Sequence, residues 1–260
     1  MPKKIAIVTG ASKGIGAGIA HRLAEQNYAL LLNYRNDKES AQAVAASCKQ
    51  LGSEKTILFQ GDVANPDDCN RMVKHAIEEW GAISCVVNNA ANTHFVSPSN
   101  AFSLSGEDFI SIYKVNLVGT YQMMKEAKPY LQKANGSIIN ISSTASLNGI
   151  GSSPAYAASK GALNTLTLSF AKLLAPHIRV NAICPGIIDT DWWNQAFVDP
   201  ARREAFLTKQ KAKLPLQKLC SVKEIADMTL HLAESESITG EIIRLNAGAH
   251  LGRAVNNVAN

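Results

Sequence analysis

Ile5-Ala6-Ile7-Val8-Thr9-Gly10-Ala11-Ser12-Lys13-Gly14-Ile15-Gly16 is the stretch whose reading decides the fold. Its first four residues form a short apolar, β-prone run, which predicts a strand. Three glycines spaced G-x-x-x-G-x-G follow at once, and beyond them Ile19, Ala20, Leu23 and Ala24 recur at the spacing of one helix face. Strand, glycine turn and helix in that order suit a loop that cradles the phosphates of a dinucleotide. Gly10 permits the tight turn, Gly14 lets backbone approach the pyrophosphate, and Gly16 allows helix and strand to pack closely. The positive end of the helix then faces the phosphates. The spacing differs from the longer-known G-x-G-x-x-G, and a glycine-rich turn without a ligand is the plainer alternative.

Outward from this stretch, apolar runs alternate with helical patterns along the whole chain. Strands are expected near 4–9, 29–34, 56–60, 83–88, 137–142, 179–184 and 241–245, and helices near 14–26, 38–51, 67–80, 107–132, 155–175 and 222–233. Such alternation predicts an α/β fold: a single Rossmann-type, doubly wound parallel sheet of about seven strands with helices on both faces. A nucleotide would lie across the carboxyl ends of the strands, where the glycine loop sits. No Pro/Gly/Ser-rich linker or charge block divides the 260 residues, so 1–260 reads as one domain.

Composition agrees, with 46% hydrophobic and 18% charged residues. The five cysteines, at 48, 69, 85, 184 and 220, are scattered with no C-x-x-C, which argues against a disulfide framework or a metal site and for a reducing compartment. The first strand begins by Ile5, leaving no room for a signal peptide, and no apolar stretch approaches a membrane span, so a cytoplasmic location is expected. The net charge of +5 is spread along the chain without basic clusters among aromatics, so nucleic-acid binding is not expected. An acidic ligand suits its sign.

The chemistry is carried by Tyr156-x-x-x-Lys160 and by Ser143, thirteen residues upstream. On a helix, i and i+4 share a face, placing the Lys160 ammonium near the Tyr156 phenol. A free tyrosine titrates at about 10, and a nearby cation favours its phenolate. A hydroxyl from Ser143 would hold a carbonyl oxygen against that phenol. The set suits proton transfer to or from an alcohol or ketone oxygen. A second Tyr-x-x-x-Lys, Tyr121 to Lys125, reads as an ordinary helix face. Ser142 competes with Ser143, but side chains alternate along a strand and the spacing to Tyr156 favours Ser143.

Tyr156, Lys160, Ser143 and the glycine spacing together resemble the short-chain dehydrogenase/reductase family, in its single-domain branch. Further matches follow in the family's order. Asp62-Val63 stands where members contact the adenine ring. Asn88-Asn89-Ala90-Ala91 matches N-N-A-G except at its last position, and Asn116 matches the helical asparagine added to the Ser/Tyr/Lys set. Pro185-Gly186-Ile187-Ile188-Asp189-Thr190 matches P-G-x-x-x-T, which cradles the nicotinamide end. If the glycine that Ala91 replaces adopts φ > 0 or lies against the cofactor, the alanine methyl costs about 1 kcal/mol.

The resemblance implies hydride transfer between a nicotinamide and a carbonyl or secondary alcohol. Tyr156 is then the general acid/base and Ser143 stabilises the same oxygen. Lys160 lowers the phenol's pKa and bonds the nicotinamide ribose, and Asn116 holds a water that returns protons. The implied cofactor contacts are Gly10, Ser12, Lys13, Gly14, Ile15, Gly16, Tyr34, Arg35, Asp62, Val63, Asn89, Ala90, Tyr156, Lys160, Pro185, Gly186, Ile188 and Thr190. Members that prefer NAD carry an acid at the end of the second strand. Here Asn33-Tyr34-Arg35 has none there, and Lys13 adds a second cation, so NADP(H) is expected over NAD(H).

A substrate lid is expected near 191–214, where Trp192, Trp193, Phe197 and Phe206 either line an apolar pocket or dock the lid. His94 reads as a surface or packed residue. The general resemblance leans toward 3-oxoacyl carrier-protein reductases. Sugars, pterins, quinones or steroids remain alternative substrates, and a non-catalytic nicotinamide-binding sensor is the alternative role. A homotetramer through the 107–132 and 155–175 helices is the family's usual assembly.

Overall fold

The computed structural model describes residues 4–252. The outer residues of the expected 1–260 domain, 1–3 and 253–260, lie outside the described residues. In chain order the elements are β1 (Ile5–Val8), α1 (Gly14–Ala24), β2 (Ala29–Tyr34), α2 (Lys38–Gln50), β3 (Thr56–Gln60), α3 (Pro66–Trp80) and β4 (Cys85–Asn88). Then come α4 (Gly106–Tyr113), α5 (Thr120–Ala134), β5 (Ser137–Ile141), α6 (Ala145–Asn148), α7 (Pro154–Leu174), β6 (Arg179–Pro185), α8 (Pro200–Lys211), α9 (Val222–Glu234) and β7 (Ile242–Leu245). The seven strands form one sheet, ordered β3-β2-β1-β4-β5-β6-β7, and every pairing is parallel.

β1 is an interior strand of this order, with Ile7 opposite Leu31 on one side and Val86 on the other. Its residues are buried on both faces, which is why it reads as an unbroken apolar run. Ala6 and Val8 join the cluster under α1 and α9 with Ile19, Leu23 and Ile225. Ile7 points the other way, into the cluster with Met72, Met123, Met124 and Leu131. The period-2 alternation of one strand thus feeds both helical layers. Each such buried Ile or Leu stabilises by about 1.5–3 kcal/mol relative to exposure.

Two elements differ from the sequence expectation. The single helix expected over 107–132 is broken at Lys114–Gly119 by a π-helical turn. The fully buried Asn116 within it reaches sideways to Asn92 and Ser159, the kind of diversion that opens an i→i−4 ladder. The expected lid region contains a helix that was not anticipated, α8, opened by Asp199 accepting from the Ala201 N–H with Pro200 in the first turn. Among the described residues, no helix is long and apolar enough to cross a membrane.

Candidate active site

The sheet's crossover between β1 and β4 places the glycine loop, the end of β4 and the end of β5 side by side. Gly10 and Gly14 both adopt left-handed backbone, at φ +62° and +59°. A side chain on Gly10 would meet Ala90 Cα at 2.9 Å, and one on Gly16 would meet the Gly10 carbonyl at 2.4 Å. Asn89 Nδ2 donates to the carbonyls of Thr9 and Gly10, both at 2.9 Å, and Thr9 Oγ1 accepts from the Asn89 and Ala90 N–H groups. Buried Asn33 receives the Gly10 N–H and donates to the Gly61 carbonyl, tying loop, β2 and β3 together. Asn33 and Thr9 were not singled out from sequence, where a polar residue inside a strand run carries no partner information.

Among the described α-helices longer than one turn that do not continue a preceding helical turn, α1 alone starts without a side-chain cap. The N-termini of α2, α3, α4, α7, α8 and α9 are capped by Asp37, Asn65, Ser105, Ser153, Asp199 and Ser221. The first turn of α1 has neither a side-chain cap bond nor an acidic residue. Its N–H groups are free for phosphate oxygens. Space above Gly14 is open apart from Thr190, whose nearest atoms would lie 3.8 Å from an added Cβ. The residues present fit a dinucleotide.

At the catalytic end, the Ser153 hydroxyl accepts from the Tyr156 N–H, and Pro154 opens α7, so cap and first turn set where Tyr156 projects. The Ser143 hydroxyl faces the Tyr156 phenol and also accepts from the Ala145 N–H at 3.1 Å. Ser142 is buried and donates to the Lys160 carbonyl at 3.3 Å, so the alternation separates the two serines as expected. Lys160 Nζ donates to the Ile141 carbonyl at 2.7 Å and lies 5.8 Å from the centre of the Tyr156 ring. Asn116 is committed to protein: Oδ1 accepts from the Asn92 N–H, and Nδ2 donates to the Asn92 carbonyl and to Ser159 Oγ.

Burial rather than the lysine dominates the phenol. Loss of hydration pushes Tyr156 up to about 12, and the Ser143 hydroxyl is what draws it back. Burial likewise pushes Lys160 down to about 8. Lys160 is not among the groups that shift the phenol while its ammonium is turned to the Ile141 carbonyl.

Lys160 gives a pH prediction. Between about 8 and its ordinary 10.5 the unfolded chain holds a proton that the folded chain has lost, so this group's contribution to stability rises with pH across that window. Below about 8 the buried ammonium costs about 3 kcal/mol. Buried cysteines, with Cys85 pushed up to about 11 by loss of hydration, oppose this at high pH, so the difference between variants is the readout. Melting temperatures of cofactor-free protein from pH 7.5 to 10 should rise less, or fall more, in Lys160→Met than in the parent. Parallel curves would contradict the assignment.

At the adenosine end, Arg35 is exposed, with Nη1 3.8 Å from Asp62 Oδ2, a loose pairing that leaves the guanidinium able to turn elsewhere. Lys13 is exposed at the start of α1. Sequence reasoning missed Asp37, which caps α2. Its bonds with Ser40 hold its carboxyl below the usual range, and the Lys13 charge adds to this. Asp62 Oδ1 accepts from the Ala64 N–H, and its own N–H donates to Asp68. Tyr34, Val63 and Ile188 are buried in the core at 6%, 5% and 6% exposure, so a nucleotide would meet mainly their backbone. Ser12, Ile15 and Ala90 are partly buried beside the loop. Ala91 is not at positive φ, so no backbone strain arises there.

The Pro185 carbonyl accepts from the Thr144 N–H at 2.9 Å, joining the β6 exit to the serine segment. A side chain on Gly186 would meet Asn246 Cα at 2.9 Å. Beyond it, Trp193 Nε1 donates to the Ile188 carbonyl, and Arg203 of α8 pairs with Asp189 and donates to the Thr190 carbonyl. The aromatic cluster divides between the two roles considered for it. Trp193, Phe197 and Phe206 pack on one another, with Trp193–Phe206 and Phe197–Phe206 centroids 5.0 Å apart. Trp192 instead lies 5.8 Å from the Tyr156 ring and 6.0 Å from Phe95. His94 is exposed and its Nδ1 meets Asp108 at 2.8 Å, away from the phenol's contacts.

Known proteins share this architecture. A family model described as enoyl-(acyl carrier protein) reductase matches residues 10–250. A 3-oxoacyl-(acyl-carrier-protein) reductase of Staphylococcus aureus is 33% identical over 252 residues, covering 95% of this chain and 98% of its own length. Among solved structures, a chain assigned to the short-chain dehydrogenases/reductases from Burkholderia xenovorans superposes with a TM-score of 0.87 at 35% identity, covering 97% of this chain and 100% of the other. The ligand-free aldohexose dehydrogenase of Thermoplasma acidophilum gives 0.85 at 32% identity, covering 99% and 98%.

Proposed function

This chain belongs to the short-chain dehydrogenase/reductase family, and from that premise we propose that it is an NADP(H)-dependent oxidoreductase interconverting a carbonyl and a secondary alcohol with Tyr156 as general acid/base. The observation that carries this reading is the convergence on the Tyr156 phenol of Ser143, just past β5, and of Lys160, whose Nζ lies 5.8 Å from the ring centre, while Ser142 turns away to the Lys160 carbonyl. When bound, the nicotinamide supplies or accepts the hydride. Ser143 holds the substrate oxygen as charge develops on it. Tyr156, kept protonated by burial, begins the reductive direction in the state needed to give a proton to that oxygen. Lys160 keeps a cation beside the phenol that steadies the phenolate left behind, and by family resemblance it bonds the nicotinamide ribose. Asn116 acts by bracing the Asn92 turn against the Ser159 turn of α7.

The relatives differ in the substrate their names carry, a 3-oxoacyl carrier protein in one and an aldohexose in another, so the shared fold supports the chemistry rather than one substrate. The reading takes the chain as one domain whose 191–214 segment is the lid over the pocket, ordered on Asp189 and Thr190 through Arg203. It also takes the protein as a homotetramer, in which Phe109 and Ile110 of α4, Tyr121 of α5 and Leu168 of α7, all exposed, are covered by a second copy.

NADP(H) preference rests on Arg35 and Lys13, because charge-assisted bonds to a 2′-phosphate are worth about 1.5–3 kcal/mol each. Both cations are open to that phosphate, since Arg35 is only loosely paired with Asp62 at 3.8 Å and Lys13 meets Asp37 only as the smallest influence on its carboxyl. Titration calorimetry should show NADPH bound at least about tenfold tighter than NADH. Arg35→Asp should weaken NADPH most and so narrow that margin. Equal affinity for the two cofactors in the parent protein would refute the preference.

A further inference from the structure

We propose that Trp192 and Phe95 make the substrate pocket selective for planar, apolar ketones, fused-ring or aromatic, over linear acyl thioesters and sugars. The proposal rests on the carbonyl-reducing reading above and names its substrate class.

A carbonyl held between Ser143 and Tyr156 must send its substituents past whatever borders the phenol. The aromatic neighbour of the Tyr156 ring is Trp192, at 5.8 Å and an interplanar angle of 50°, with Phe95 set edge-on to the indole at 6.0 Å and 61°. Both walls are held from behind. Phe95 also lies 5.9 Å from Trp193, which is fixed to the Ile188 carbonyl and packed on Phe206. Rings at these separations offer offset and edge-on contacts that reward another flat π-system and give a flexible chain less in return.

The polar groups of the surrounding loops point to the same class. Thr93 Oγ1 bonds Ser152 Oγ, Asn92 Oδ1 accepts from the Thr93 N–H, and Asn148 Oδ1 accepts from the Ile150 N–H. The Thr93 and Ser152 hydroxyls are spent on each other and the Asn92 and Asn148 side-chain oxygens on backbone, which leaves two amide Nδ2 groups as the partners these four side chains offer, fewer than a sugar needs for the hydroxyls it takes from water. Leu147 and Ile150, on the segment between Ser143 and Tyr156, are exposed and add apolar rim. A side chain on Gly151 would lie 3.3 Å from the Tyr156 ring, so that strand of the loop keeps the phenol's flank narrow.

The test compares 2-tetralone, the N-acetylcysteamine thioester of acetoacetate, and glucose with its NADP⁺ oxidation. Each is assayed with parent protein, Trp192→Ala, Trp192→Phe and Phe95→Leu, and calorimetry measures tetralone binding to the NADP⁺ complex. The parent should favour tetralone over the thioester by at least about tenfold in kcat/KM, and Trp192→Ala should lower that ratio at least about tenfold. Trp192→Phe should restore most of it. Phe95→Leu should lower the ratio less, and it carries the test if Trp192→Ala does not fold. A parent that favours the thioester or glucose, or a ratio unmoved in both Trp192→Ala and Phe95→Leu, would overturn the proposal. Tetralone that binds in a Trp192-dependent way but is not reduced would uphold the pocket and refute the carbonyl-reducing reading instead.

Discussion

Replacing Tyr156 by phenylalanine should lower turnover by roughly 10²–10⁴-fold while leaving NADPH affinity within about twofold. The change removes one hydroxyl from a side chain otherwise held by its backbone, its cap and its ring contacts. Ser153 still accepts the residue 156 N–H, and the ring still packs near Trp192. What disappears is the proton donor opposite Ser143, and no other titratable group meets the substrate oxygen. His94 is turned to Asp108, and Lys160 Nζ is bonded to the Ile141 carbonyl. Tyr121→Phe is the matched control. Its exposed ring on α5 contacts Phe170 of α7, and its i+4 partner Lys125 pairs with Glu126, so the change should be nearly silent. Steady-state kinetics beside calorimetric NADPH binding separates the two effects, and a Tyr156→Phe protein with near-normal kcat would remove Tyr156 from the chemistry.

Gly16→Ala should be the most damaging single methyl in the cofactor cradle. The added Cβ would lie 2.4 Å from the Gly10 carbonyl, 2.5 Å from Asn89 Nδ2 and 3.0 Å from Ala11 Cα. Two of these neighbours are backbone, and Asn89 is held by bonds to Thr9 and Gly10, so no flexible end can yield. Either α1 moves off the loop or Asn89 loses its bonds, and both displace the N–H groups aimed at phosphate. Overpacking of this kind costs about 1–3 kcal/mol in stability, and the displaced cradle should weaken NADPH by at least about a hundredfold. Gly106→Ala, where an added Cβ meets nothing within 4 Å, should change neither. Thermal unfolding and cofactor titration of the three proteins check both parts. Undiminished NADPH affinity in Gly16→Ala would mean the phosphates bind elsewhere.

Strands were legible because their signal is local. β1, β2 and β4 are buried on both faces, and their apolar runs announce that without reference to the rest of the chain. Helix α7 was legible for the same reason, with Ser153-Pro154 opening it and Tyr156 and Lys160 one turn apart. The π-helical break at Lys114–Gly119 was not, because the pull on Asn116 comes from Asn92 and Ser159, 24 and 43 residues away. Helix α8 is mostly polar, with Leu207 its one buried residue, so apolar periodicity could not find it. Asp199-Pro200 was the signal that could have.

In the site, alternation carried past the end of β5 meant that only one of Ser142 and Ser143 faces Tyr156, and the spacing to Tyr156 favoured Ser143. The direction of the Tyr156 shift was not readable, since it depends on how deeply the phenol is buried and where the ammonium of Lys160 turns. Asp37 was readable as a helix cap from its place before α2, but its closeness to Lys13 needed the loop's fold. Trp192 stood out only as one of four lid aromatics. Its contact with Tyr156 spans 36 residues of chain and follows from the Trp193 anchor on Ile188.

The most direct test of the central claim follows the hydrogen itself. Purified protein is incubated with NADPH deuterated at the transferable position of the nicotinamide and with 2-tetralone or, in parallel, the acetoacetyl thioester, and the products are analysed by mass spectrometry. The account predicts an alcohol carrying one deuterium at the former carbonyl carbon, formed mole for mole with NADP⁺ and absent with Tyr156→Phe. Tight NADPH binding with no labelled alcohol from either ketone would contradict it and favour a protein that senses the nicotinamide without turning it over.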